Sequence, residues 1–169
     1  IDTESFESGL NSALRQDVNV ILVGEMRDRE TMQAAVTAAE TGHLVLSTLH
    51  TNNAAQTVDR IIDSFPANQQ DQIRLQLSNA LAGVLSQRLV PRISGGLIPV
   101  FELMISNNAI QNLIREKRTH EINTVIETGS QDGMIDMNRC LAELVQRGEI
   151  TLEDAYKHSL NPKMLQRLV

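Results

Sequence analysis

Residues 20–50 read VILVGEMRDRETMQAAVTAAETGHLVLSTLH, and this stretch decides the fold of the chain. It begins with a short, continuously apolar run at 20–23 and contains a second, mostly apolar run at 44–49. Short apolar runs rich in β-branched residues are typical of strands that a parallel sheet buries on both faces. Between the two runs, apolar residues at helical spacing predict a helix over 29–40. We therefore predict a strand-helix-strand unit with two parallel strands.

The neighbouring segments extend this unit on both sides. Residues 5–16 and 54–65 carry apolar side chains at helical spacing. The predicted order is α-β-α-β-α with short connections, which is typical of a parallel sheet flanked by helices. Because ligands bind outside the carboxyl ends of such strands, we expect residues 24–28 and 48–53 to lie at one edge of the sheet.

The rest of the chain is predicted to add one strand and several helices. Apolar residues at helical spacing predict a long helix over 68–90, followed by a Ser-Gly-Gly turn and a strand over 97–105. Beyond this strand we find only helix patterns, at 109–117, 120–128, 135–147, 152–158 and after Pro162. We therefore place a boundary near Ser106, with an α/β part at 1–106 and a small all-helical domain at 107–169.

The composition excludes several classes of protein. The 169 residues carry a net charge of −6, which argues against a general nucleic-acid-binding surface, and we interpret the basic residues at 115–118 as a solvated helix end. The apolar runs are far shorter than the ~20 residues of a membrane span, and Cys140 is the only cysteine. The chain starts at Ile1 without a leader, so we expect a cytoplasmic piece of a longer protein.

Polar residues follow both central strands. In nucleotide-hydrolysing sheets, a strand-end acid serves Mg²⁺ or orients the attacking water, and a polar residue on the neighbouring strand end senses the γ-phosphate. Glu25 fits the first role, and His50 or Thr48 fits the second. On spacing alone, ordinary pairing of the loop charges Glu25 and Arg27 with their neighbours is the simpler interpretation, so both interpretations stay open.

Other signals for a nucleotide or metal site are weak. His43 can cap the last carbonyls of the preceding helix as readily as it contacts a ligand. His43 and His50 have no cysteine or carboxylate at ligand spacing beside them, so we predict no protein-bound metal. The chain contains no G-x-x-x-x-G-K-[ST] phosphate loop. We therefore expect these residues alone to be inactive toward ATP.

Three motifs carry a resemblance to a known family. The run at 17–66 resembles the ATPases of type II secretion and type IV pilus motors: VGEMRD at 23–28 resembles their Walker B region, and TGHLVLSTLHT at 41–51 their histidine box. AIQNLIRE at 109–116 is similar to the AIRNLIRE segment of the PilT family, the pilus retraction motors, with Gln111 in place of an arginine. The tetracysteine insert that the assembly and secretion branches often carry is absent. The resemblance covers essentially the whole chain, but only the C-terminal half of such a motor.

The resemblance implies a partial RecA-like P-loop NTPase core followed by a small helical domain. It makes Glu25 the Walker B glutamate, which acts on Mg²⁺ and the hydrolytic water, and His50 the histidine near the γ-phosphate of ATP. Other residues of the two motifs are implied to be associated with nucleotide and Mg²⁺ or with structural and subunit contacts: Gly24, Arg27, Asp28, His43 and Thr48. The implied pilus retraction helix comprises Ala109, Ile110, Gln111, Asn112, Leu113, Ile114, Arg115 and Glu116.

The family also implies partners. It implies a homo-hexamer that hydrolyses ATP with Mg²⁺, works on the inner-membrane platform of the type IV pilus and powers retraction and twitching motility from the cytoplasmic face. A pilus assembly or type II secretion ATPase is the alternative within the superfamily, and residues 109–116 discriminate between them. A non-catalytic interaction module is the alternative of another class, supported by the missing phosphate loop. We expect the Walker A loop, the acidic Asp box and the N-terminal domain to lie outside this chain.

Overall fold

The structure is a computed structural model that describes residues 3–169. Helices and strands are labelled in chain order: α1 (Phe6–Ala13), β1 (Val20–Val23), α2 (Arg29–Glu40), β2 (Leu44–Ser47), α3 (Ala54–Asp63), α4 (Ala67–Ala80), β3 (Gly83–Pro91), β4 (Leu97–Ile105), α5 (Asn108–Arg115), α6 (Ile122–Thr128), α7 (Met137–Gln146), α8 (Leu152–His158) and α9 (Pro162–Leu168). Short 3-10 helices flank α6 at Thr119–Glu121 and Gly129–Asp132.

The described chain forms two compact units whose segments alternate along the sequence. The first unit contains the chain up to Thr51, Gln56–Ala82 and Ser106–Thr119, and the second contains Asn52–Ala55, Gly83–Ile105 and His120–Val169. The boundaries of these units do not coincide with Ser106. Helix α5, which follows Ser106, packs against α4, whereas the β3-β4 hairpin, which precedes Ser106, packs against α7 and α8. The division into 1–106 and 107–169 stays a prediction about the domains of the whole protein.

The first unit contains the predicted strand-helix-strand element. Strands β1 and β2 pair in parallel from Val20 opposite Leu44 to Val23 opposite Ser47. One face of this sheet packs against α1 and α2 in a cluster of buried aliphatic side chains: Leu10, Ile21, Val23, Ala34 and Ala38. The parallel pairing confirms the α/β class.

The other face of the same sheet differs from the prediction of strands buried on both faces. Its side chains stay exposed to about half or more of their area: Val20 57%, Leu22 75%, Leu44 52% and Leu46 49%. The apolar residues on the second face account for the continuous apolar runs in the sequence. In the described chain, the helices of this unit cover only the first face.

The predicted helix over 68–90 is wrong in its second half. Helix α4 ends at Ala80, and 83–91 is strand β3, which pairs antiparallel with β4 from Gly83 opposite Ile105 to Pro91 opposite Leu97. A Cβ atom on Gly83 would lie 2.8 Å from the Met104 carbonyl oxygen, so glycine permits this close approach. The alternation of apolar and polar residues that is typical of strands is not visible in the sequence of β3. Its inward-facing residues include Ser86 and Arg88 as well as aliphatic side chains.

The second unit has its own core. The hairpin, α7, α8 and α9 bury a continuous aliphatic cluster: Val90, Val100, Met137, Leu141, Ala142, Leu144, Ile150, Ala155 and Leu165. After Ser106 the described chain is helical, which confirms the predicted class of the C-terminal part. No helix within residues 3–169 is both long and apolar enough to cross a membrane.

Candidate functional site

The carboxyl ends of β1 and β2 are joined directly. The Thr48 hydroxyl donates to the Gly24 carbonyl oxygen at 2.6 Å, and the Met26 amide donates to the Thr48 carbonyl at 3.2 Å. Parallel pairing with Val23 opposite Ser47 places both connecting segments at this edge. The two segments predicted to share one edge of the sheet therefore do so.

Glu25 lies between two cationic or titratable partners at this edge. Its Oε2 lies 2.7 Å from both Nε and Nη2 of Arg27, and its Oε1 lies 2.9 Å from His50 Nε2. The Glu25 side chain is 24% exposed, whereas that of His50 is 81% exposed. The carboxylate is thus held in a fixed orientation, with an accessible imidazole beside it.

These partners tune the charge of Glu25. The hydrogen bond from the Arg27 guanidinium is the largest influence and lowers the pKa of Glu25 below its ordinary value of 4.5, with His50 acting in the same direction and desolvation opposing both. The carboxylate is therefore ionised at neutral pH. An ionised carboxylate can accept further hydrogen bonds, because its two oxygens offer about four acceptor positions.

The remaining residues of the two motifs have mainly local contacts. Asp28 caps α2, accepting the Thr31 amide at 2.7 Å and the Thr31 hydroxyl at 3.0 Å. His43 Nδ1 lies 3.1 Å from the Ala38 carbonyl, so it caps the C-terminal end of the same helix when Nδ1 carries the proton. Gly24 leaves open space where a Cβ would stand. The geometry therefore brings Glu25, Arg27 and His50 together around one carboxylate.

Helix α5 presents two different faces. Ile110, Leu113 and Ile114 are buried, and Arg74 Nη1 donates to the Ile114 carbonyl at 3.2 Å. On the other side, Ala109, Asn112, Arg115 and Glu116 are exposed, and Gln111 is half-buried. The basic residues here are paired, with Lys117 Nζ 2.6 Å from Asp71 and Arg118 Nη1 2.8 Å from Glu116. This pairing is consistent with a solvated helix end.

Sequence reasoning missed one residue at the start of α3. Glu102 of β4 accepts the Ala54 backbone amide at 2.8 Å, although the two residues are 48 positions apart. Glu102 is only 2% exposed. The signal in the sequence was a single acid inside the otherwise apolar strand 97–105, which indicates a buried partner without identifying it.

The fold is that of the α/β P-loop ATPases, in which hydrolytic groups stand at strand ends of this kind. The chain belongs to the Type II/IV secretion system protein family, whose model matches residues 2–97. The type IV pilus retraction ATPase PilT of Pseudomonas aeruginosa is 48% identical over 162 residues, which is 96% of this chain and 47% of that protein. A twitching motility protein of Neisseria gonorrhoeae is 49% identical over 96% of this chain and 44% of its own length.

A solved structure agrees with these relatives. The crystal structure of the pilus retraction motor PilT with bound ADP matches with a TM-score of 0.88 and 51% identity, covering 98% of this chain and 47% of that one. The chain therefore spans a little less than half the length of the relatives it matches. The resemblance to the PilT family and the α/β ATPase fold are both confirmed.

The contact between Arg27 and Glu25 leads to a first prediction. Arg27→Met should raise the pKa of Glu25 toward 4.5, because the largest influence that lowers this pKa is removed. A carboxyl whose pKa is lower in the folded state adds stability above its unfolded pKa and loses that contribution as the pH falls through its folded pKa. Carbon-13 NMR titration of the Glu25 carboxyl in the full-length protein measures this change.

Arg29→Met is the matched control for this titration. Arg29 pairs with Glu30 at 2.8 Å, so its loss should leave the Glu25 titration unchanged. An unchanged pKa of Glu25 in Arg27→Met would show that the ion pair does not hold the carboxylate in solution.

Proposed function

We propose that this chain is the C-terminal half of a homo-hexameric ATPase motor that powers type IV pilus retraction and twitching motility. The observation that carries the proposal is the 2.9 Å contact between Glu25 and His50 at the joined ends of two parallel strands. It occurs in a chain 48% and 49% identical to a pilus retraction ATPase and a twitching motility protein. In the proposed motor, Glu25 and His50 are the hydrolytic pair.

The residues present fit a magnesium nucleotide as substrate. Within residues 3–169 no cluster of three or more His, Cys, Asp or Glu side chains could hold a metal. Mg²⁺ needs no such cage, because it is commonly bound by one or two carboxylates together with substrate phosphates and water. The single ionised carboxylate of Glu25 suits that mode of binding. When bound, Mg²⁺ neutralises charge that develops on the phosphate oxygens.

The side chains around Glu25 have distinct tasks in this proposal. Glu25 orients the attacking water by accepting a hydrogen bond from it at an acceptor position left beside Arg27 and His50, and takes that proton as the water oxygen bonds to the phosphorus. Arg27 holds the carboxylate ionised and oriented. His50, exposed and with Nε2 2.9 Å from Glu25 Oε1, places its imidazole at the phosphate side of the site. Gly24 and Thr48 keep the two strand ends together, whereas His43 acts at the end of α2.

We infer the surroundings of the motor from the family resemblance of the sequence motifs. Six copies form a ring on the cytoplasmic side of the inner membrane and act there on the pilus platform, with the α5 segment 109–116 serving retraction. Since these 169 residues contain no phosphate loop, we infer that they do not hydrolyse ATP without the remainder of the protein.

Removal of the gene from a piliated host tests the function. We expect pili that assemble but do not retract, loss of twitching, and recovery of both when the full-length protein is supplied. Loss of pili altogether would instead support an assembly motor. Unchanged retraction together with no ATP hydrolysis by the purified full-length protein would support the non-catalytic interaction module.

A further inference from the structure

Thr48 is hydrogen-bonded to both chain neighbours of Glu25. Its hydroxyl donates to the Gly24 carbonyl oxygen at 2.6 Å, and its own carbonyl accepts the Met26 amide at 3.2 Å. Gly24 directly precedes Glu25, and Met26 directly follows it. A single residue at the end of β2 therefore fixes the backbone on each side of the Glu25 carboxylate.

The bond to Gly24 extends the sheet by means of a side chain. Regular pairing of the two strands ends with Val23 opposite Ser47. The bond from the Met26 amide is a backbone bond, which any residue at position 48 could accept. The bond to the Gly24 carbonyl needs a side-chain donor, and the Thr48 hydroxyl supplies it. The identity of residue 48 therefore decides whether the two strand ends are joined once or twice.

The same residue lies just before His50. Thr48 precedes His50 by two residues, and residues 48–50 carry no helix or strand of their own. The His50 Nε2 atom lies 2.9 Å from Glu25 Oε1. Both strand ends belong to one compact unit, the chain up to Thr51. The contact between Thr48 and Gly24 therefore fixes the point at which the chain leaves β2 toward His50.

The Thr48 hydroxyl has a single proton to donate. A threonine hydroxyl carries one donor and two acceptor positions, and the 2.6 Å separation from the Gly24 oxygen lies within the range of O–H···O hydrogen bonds. Phosphate oxygens are acceptors, so they would compete with the Gly24 carbonyl for this proton. The observed bond favours a role in the backbone over a contact with nucleotide.

We propose that Thr48 is a positioning residue for the hydrolytic site, because its bonds to Gly24 and Met26 hold Glu25 where His50 reaches it. Thr48 acts through Glu25 and does not itself contact the nucleotide. This inference rests on the proposed ATPase function, and it names a residue on which the geometry of the hydrolytic pair depends.

The test compares two Thr48 variants in the full-length protein. Thr48→Val removes the hydroxyl but keeps the branched shape that suits an extended segment, and Thr48→Ser keeps the hydroxyl. We expect Thr48→Val to lower kcat about tenfold, less than the roughly hundredfold that a misplacement of about 1 Å can cost. Its KM for ATP should stay within about twofold, and Thr48→Ser should keep kcat within about threefold, since the donor remains.

Two structural readouts accompany the kinetics. Amide hydrogen exchange at Met26 should be faster in Thr48→Val than in Thr48→Ser, because loss of the bond to Gly24 allows the strand ends to separate. The Tm should change little in either variant. Gly24 and Thr48 are both exposed, so water can bond to the Gly24 carbonyl when the hydroxyl is removed.

Thr128→Val is the matched control. Thr128 is also exposed, and its hydroxyl also donates to a backbone carbonyl, that of Thr124 at 3.0 Å. Both residues lie in α6, so this bond joins no strand ends. We expect kcat, KM and the exchange at Met26 to be unchanged in this variant.

The outcomes separate the inference from the proposed function. Wild-type kcat in Thr48→Val, or an equal loss of kcat in Thr48→Ser or Thr128→Val, would overturn the positioning role. A raised KM with unchanged kcat would also overturn it, because the hydroxyl would then serve the nucleotide. Should Thr48→Val not fold, Thr48→Ala, which also lacks the hydroxyl, serves for the same comparison. Absence of ATPase activity in the unsubstituted protein would overturn the proposed function, and this inference with it, before any variant is compared.

Discussion

Glu25→Gln in the full-length protein is expected to abolish ATP turnover while leaving ATP binding largely intact. The amide keeps the shape of the carboxylate but carries no charge and cannot take a proton from the attacking water. Loss of a general base typically lowers the rate about 10²- to 10⁴-fold. Steady-state phosphate release together with an ATP binding isotherm separates the two effects.

Glu30→Gln is the matched control for this substitution. Glu30 lies in the first turn of α2, is about half exposed and pairs with Arg29 at 2.8 Å. Exposed ion pairs contribute little to stability, so this variant should hydrolyse ATP at the wild-type rate. Wild-type hydrolysis by Glu25→Gln would rule out the catalytic role of Glu25.

Replacement of both Asn112 and Arg115 by alanine is expected to stop pilus retraction but to leave ATP binding and folding unchanged. Both side chains lie on the exposed face of α5, where the Arg115 guanidinium contacts the Asn112 side-chain oxygen. Surface substitutions of this kind usually change the free energy of unfolding by less than about 0.5 kcal/mol. Microscopy of pilus retraction and an ATP binding measurement on the purified protein together show whether retraction is lost while ATP binding is kept.

Ile114→Ala supplies the contrast from the buried face of the same helix. Ile114 is fully buried, so its truncation should lower the free energy of unfolding by about 2–5 kcal/mol. We expect retraction, ATP binding and thermal stability to fall together in this variant. Normal twitching by the Asn112 and Arg115 double variant would remove the proposed role of residues 109–116 in retraction.

Elements that follow from local pattern were predicted well. Helix α2 begins and ends at the predicted residues, 29 and 40, because its apolar spacing, its Asp28 cap and its Thr-Gly end agree with one another. Strands β1 and β2 were recognised as short apolar runs between turn signals. The shared edge of Glu25 and His50 followed from parallel pairing, although spacing alone could not establish that the two side chains touch.

Predictions failed where distant parts of the chain decide the conformation. Residues 83–91 fit a helical stripe, yet the nine-residue pairing with β4 makes them a strand. Helix α5 packs against α4, a contact that its own sequence pattern does not indicate. The spacing of apolar residues shows which face of one segment is apolar. The conformation of 83–91 and the packing of α5 depend instead on which distant segment covers that face.

The sequence by itself determined the β1-α2-β2 unit, the family and the placement of Glu25 and His50 after neighbouring strands, because these depend on local spacing and on the order of motifs. Only the tertiary structure decided that Arg27 and His50 occupy the two oxygens of one carboxylate, and that Glu102 caps α3 across 48 residues. A buried acid must find a partner, but only the folded chain shows which amide is within reach.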